Sequence, residues 1–168
     1  MKAAVLTAYN KIEWLDVEKP SCKPGEVLIK VMYGCICGSD QHIHKGEFHP
    51  RTKTPLIIGH EFGGLVAEVG EGVEGWAVGY KVAPDPIIWC GKCPACLKGH
   101  YPACTTLKLI GVDSDGEFAE AIEHLKNGRL KPEALISKVL HGSQTQRGFE
   151  ILDENPAENI KILLDFRS

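Results

Sequence analysis

The sequence predicts a mainly β fold with a few helices, α+β in class, whose short strands form a barrel or a partly closed one. Three features lead there. Short β-like runs crowd the first half of the chain, and Gly, Pro or Asn interrupts each of them. The segment "EVGEGVEGWAVG" punctuates two such runs with glycines. After Gly116 the apolar period changes to a helical one.

Taken in order, residues 2–7, 12–17, 27–33, 62–69 and 80–83 are strand candidates, since they are apolar or β-branched and are bounded by turn residues. Within "CGSDQHIHKG" a short helical turn is expected to begin near Ser39 or Asp40, both good caps. Gly70, Gly72 and Gly75 fit the letters of a dinucleotide fingerprint. That fingerprint works only between a strand and a helix, and Pro84 and Pro86 leave no room for the helix, so the segment reads as a turn. Further on, Phe118, Ala121, Ile122 and Leu125 have helical spacing with Gly128 beyond. Pro132 opens another turn, Ser143 caps a helix running through Ile151, and "NIKILLDF" reads as a last strand.

At 168 residues the chain holds one core, or a core and a small lobe. A hydrophobic fraction of 43% and a charged fraction of 24% are those of a globular protein in water, and a net charge of −3 gives no footprint for nucleic acid. The first residues have too short an apolar run for an export signal, and no stretch reaches the length of a membrane span. A cytoplasmic location is the expectation. Seven cysteines, an odd number, then argue for metal rather than a disulfide framework.

"CGKCPACLKGHYPAC" places Cys90, Cys93, Cys96 and Cys104 on one short loop, where four thiolates close a tetrahedral zinc shell with no open position. An iron–sulfur cluster and free thiols are the rivals. "GCICGSDQH" and "IIGHEFGG" supply Cys37, His60 and Glu61, a mixed donor set that leaves room for a substrate, although by spacing alone such residues are more often structural than catalytic. Asp40 either orients His60 or caps the helix. Cys35, two residues before Cys37, is a further ligand candidate or a small buried residue.

Together "CGSD", "GHEFGG" and the four-cysteine lobe, in that order, resemble the zinc-containing medium-chain alcohol and polyol dehydrogenases. The resemblance covers residues 1 to about 120 and "IKILLDF". It implies a GroES-like partly closed β-barrel, with catalytic zinc on Cys37, His60 and Glu61 and structural zinc on Cys90, Cys93, Cys96 and Cys104. It further implies a proton relay of Ser39 and His42, Asp40 as the partner of His60, and hydride transfer between a small alcohol, polyol or carbonyl compound and NAD(P).

One departure is large. Members of that family continue from "GEFAE" into a Rossmann cofactor domain of about 150 residues, whereas here Glu120 runs into "AIEHLKNGRL", which resembles the stretch after it. Residues 1–168 are therefore expected to form a single domain, built from 1–120 and a return segment 121–168, with the zinc lobe near 88–106 and no Rossmann domain. Tight NAD(P) binding is not expected. The catalytic zinc is expected to be only partly occupied, because one family ligand past the junction is replaced by water or a relocated carboxylate. Surface bared by the missing domain, around Ile122 and Leu125, is expected to fold back or drive self-association. Two other readings stand beside this one: a zinc-binding scaffold without catalysis, and a zinc hydrolase with Glu61 or His42 as base.

Overall fold

The computed structural model describes residues 1–49, 52–85, 87–106, 108–109 and 136–167. In chain order these form β1 (Lys2–Ala8), β2 (Lys11–Asp16), β3 (Val27–Ile36), α1 (Gly38–His44), β4 (Leu56–Ile57), β5 (Glu61–Val69) and β6 (Lys81–Val82). There follow β7 (Ile87–Ile88), α2 (Pro94–Leu97), β8 (Lys108–Leu109), β9 (Ile136–His141), α3 (Thr145–Glu154) and β10 (Lys161–Asp165). The helix expected over Phe118–Leu125, with Ile122 on it, and the turn at Pro132 lie outside the described residues. No helix among the described residues is long and apolar enough to cross a membrane.

The chain divides into two compact units, one of Met1–Ala83 with Leu135–Ser168 and one of Pro84–Ala134. The first holds two sheets, ordered β2-β1-β4 and β6-β5-β3-β10-β9. Its central feature is β3, which pairs antiparallel with β5 on one side and with β10 on the other. The last strand thus reaches Ile36 and Cys35, which face Ile162 and Leu163. Leu6, Ile36, Phe149, Leu152, Ile162 and Leu164 form the core, each no more than 5% exposed. Burying each such side chain contributes about 1.5–3 kcal/mol. Helix α3 covers this core with Phe149, Ile151 and Leu152, while Arg147, Glu150 and Glu154 pair on its outer face. Gly148 lets it approach closely, since a Cβ there would lie 2.7 Å from Ile36 Cδ1.

Three boundaries differ from the sequence expectation. β3 runs on to Ile36 because β10 supplies it with a second partner. Helix α1 starts at Gly38, capped by Cys37 rather than by Ser39 or Asp40. Ser143 lies inside a short turn, Gly142–Gln144, that precedes α3, and its N–H donates to His141 Nδ1. Between β5 and β6, Gly72, Gly75 and Gly79 all have positive φ, and no helix follows, so the glycines there serve turns.

The second unit is built around cysteines. β7 pairs antiparallel with β8, and α2 begins with Pro94 at its first position, where a missing N–H costs nothing. Cys93, Cys96 and Cys104 are buried, with Cys90, Ala95 and Tyr101 against them. Trp89 stacks on Tyr101 with ring centroids 4.4 Å apart.

Candidate functional site

In the first unit the strand–helix corner at Cys37 sets the geometry. Cys37 is extended, and its N–H donates to Asp40 Oδ2 at 3.0 Å. Asp40 is 1% exposed, and its other oxygen lies 3.0 Å from His60 Nδ1. That contact turns Nε2 of His60 toward Cys37, whose Sγ is 3.0 Å away. Ser39 Oγ lies 2.8 Å from the same sulfur and 3.2 Å from His60 Nε2. Glu61, the first residue of β5, adds a carboxylate, so that one ligand atom from each of Cys37, His60 and Glu61 lies within 4.8 Å of the others.

The charges of this corner are coupled. Asp40 first, then Cys37, push the pKa of His60 up to about 10 against the effect of burial. Burial opposes ionisation of Cys37, yet His60, Ser39 and the Asp40 N–H outweigh it and hold the thiol below its ordinary value. Lys161, arriving on β10, pairs with Glu61 at 2.5 Å. Sequence reasoning missed this lysine. The alternation of "IKILLDF" marks a strand, but no local signal says which strand it joins.

Two expected residues are placed differently from one another. His42, paired with Ser39 in the expected relay, directs Nδ1 to Glu47 and stacks on Phe48. Cys35 is half-buried, burial pushes its thiol up, and it stands outside the ligand grouping.

In the second unit the Sγ atoms of Cys90, Cys93, Cys96 and Cys104 lie within 4.8 Å of one another. A tetrahedron of thiolates around zinc has sulfur–sulfur edges of about 3.8 Å. The Cys93–Cys96 and Cys90–Cys96 separations are 3.5 and 4.0 Å, so the donor set fits with almost no movement. The N–H groups of Cys96 and Thr105 hold the Cys93 thiol down to about 5, whereas burial pushes Cys96 up to about 12. The Cys37 and His60 donors fit less closely. A tetrahedral ion needs about 3.6 Å between such a sulfur and nitrogen, so this pair must part by about half an ångström.

These features meet a known family. Residues 23–131 match the alcohol dehydrogenase GroES-like domain. The chain is 44% identical over 139 residues to the starvation-sensing protein RspB of Escherichia coli (strain K12), covering 82% of this chain and 41% of that protein. Against the sorbitol dehydrogenase of Halalkalibacterium halodurans it is 40% identical over 138 residues, covering 76% of this chain and 40% of that one. Among solved structures, the short chain alcohol dehydrogenase (rspB) of Escherichia coli CFT073, complexed with NADH, aligns with a TM-score of 0.60 at 30% identity, over 95% of this chain and 54% of that one. The chain belongs to the zinc-type alcohol and polyol dehydrogenase family, through its GroES-like domain. It spans less than half the length of these two curated relatives.

Proposed function

We propose that this chain is the zinc-binding catalytic domain of an alcohol or polyol dehydrogenase, with Cys37, His60 and Glu61 as the catalytic ligands and Cys90, Cys93, Cys96 and Cys104 as the structural ones. The carrying observation is the corner where Cys37 Sγ and His60 Nε2 stand 3.0 Å apart with the buried Asp40 behind the imidazole. A zinc ion held there supplies a Lewis acid that lets an alcohol ionise near neutral pH. The protein's own groups do the rest. Asp40 fixes the imidazole so that Nε2 faces inward. Ser39 Oγ, beside both donors, is placed to take up the substrate proton, and Lys161 balances the Glu61 carboxylate. His42, which is exposed and has Glu47 as its partner, is read as the group that passes the proton on to solvent.

Hydride transfer also needs a nicotinamide held beside the substrate. Among the described residues no strand, glycine fingerprint and helix follow one another. We read residues 1–168 as one domain with the lobe near 88–106, its substrates a small alcohol, polyol or carbonyl compound, acting with a nucleotide domain rather than alone. Metal analysis of zinc-loaded protein tests the reading. Two ions per chain are expected, with Cys37→Ala and Cys93→Ser each losing a different one. A full complement in both variants overturns it.

A further inference from the structure

We propose that Lys161 decides how far Glu61 belongs to the metal site, by holding its carboxylate in an ion pair for which a bound cation must compete. The inference rests on the reading of Cys37, His60 and Glu61 as ligands. β10 lies antiparallel on β3 with Ile162 opposite Ile36, and the same register brings Lys161 level with Cys37. On the other side of β3, Cys35 faces Glu61. The two strands thus deliver an ammonium and a carboxylate from opposite flanks of β3, 100 residues apart in the chain, and Nζ meets Oε2 at 2.5 Å. Lys161 is 30% exposed along its side chain and Glu61 41%, so the pair is partly shielded from solvent.

The same carboxylate offers an oxygen within 4.8 Å of Cys37 Sγ and His60 Nε2. A dication drawn in by those two donors finds its third ligand engaged by a positive charge, which also repels it. Lys161 is therefore a positioning residue. With the pair intact, Glu61 balances charge beside the ion; once the pair opens, Glu61 binds as the third ligand and the fourth position stays open to a substrate oxygen. A lysine that merely fastens β10 to β5 makes a different demand. Its loss lowers stability and leaves metal affinity alone.

The test uses full-length chain with the lobe loaded with zinc, titrated with cobalt(II) against a chelator while the absorption of the Cys37-dependent site is followed. Lys161→Met is expected to bind cobalt tighter by about tenfold or more, the scale typical of groups that hold a ligand. Lys161→Arg keeps the wild-type affinity. In a Glu61→Gln background, Lys161→Met gives a distinctly smaller gain, since only the repulsion by the ammonium is then removed. Unchanged or weaker affinity in folded Lys161→Met, or an equal gain in the Glu61→Gln background, overturns the inference. Should Lys161→Met not fold, Lys161→Gln is read by the same criteria. Cobalt binding that survives both Cys37→Ala and His60→Ala overturns the ligand reading itself, and that result is separable from the others.

Discussion

Asp40 shows how much one buried carboxylate carries. It is 1% exposed, yet it spends one oxygen on the Cys37 N–H and places the other 3.0 Å from His60 Nδ1, tying together two candidate ligands that are 23 residues apart. Asp40→Ala should therefore weaken metal binding at this corner about 10–100-fold, in line with other residues that orient ligands. Binding at the four cysteines should be untouched. Chelator competition with each site followed separately checks both halves, and an unchanged corner affinity refutes the orienting role. The four cysteines of the lobe were legible in the sequence because they are local, at x2, x2 and x7 within one loop, whereas Cys37 and His60, 23 residues apart, stood out only through the resemblance of "CGSD" and "GHEFGG" to a known family. Lys161 was not legible. Its partner depends on strand register, and register is fixed by which apolar faces β3, β5 and β10 bury together.

At the scale of elements, α1 and α3 meet through an unusual contact. His44, at the end of α1, is 5% exposed and stacks on Phe149 of α3 at 4.7 Å, and among the described residues neither of its ring nitrogens has a hydrogen-bond partner. Burial holds its pKa below the ordinary value of 6.5, although Asp153 pulls the other way; Gln146 and the Asn10 backbone also favour the proton, and Lys45 disfavours it. For a base depressed in the folded state, stability is full above the unfolded value and falls as pH drops through 6.5 toward the folded one. Urea unfolding should thus show lost stability between about pH 7 and 5. That loss should shrink in His44→Leu, which keeps an apolar side chain against Phe149. An identical pH slope in the variant would sink the assignment to His44. Strands β1, β2, β3, β5, β6 and β10 were readable to within a few residues, since alternation and turn glycines are local, whereas β4, β7, β8 and β9 were not anticipated. The long end of β3 escaped because it exists only where β10 covers it. The second unit depends instead on its cysteines. Cys93→Ser should release the ion there and loosen Pro94–Leu97, since metal binding contributes about 10–16 kcal/mol in comparable small sites. Retained zinc at that loop by metal analysis would refute it.

At the scale of the whole molecule, the decisive quantity for the proposed function is the position of the hydride acceptor. Zinc chemistry activates only the alcohol, and the nicotinamide must be held a few ångströms from the reacting carbon. The solved relative complexed with NADH is a longer protein, of which this chain spans 54%, and residues 1–168 align with RspB over 41% of its length. Fixing two reactants in an enzyme supplies an effective molarity of about 10⁵–10⁸ M, or roughly 7–11 kcal/mol of barrier, which free nucleotide at millimolar concentration does not replace. The 168-residue chain by itself should then show no saturable NAD or NADP binding below about 1 mM in calorimetry, a scale at which only about 4 kcal/mol of binding free energy is available. Alcohol oxidation should remain near background, with zinc fully loaded, until a separate nucleotide-binding domain is supplied. The outcome that would sink this is turnover near 10 s⁻¹, an ordinary enzymatic rate, from the purified chain with nucleotide alone and lost on Cys37→Ala. Such a result would place the nicotinamide against these residues, and the Ser39 corner would have to accommodate cofactor and alcohol together.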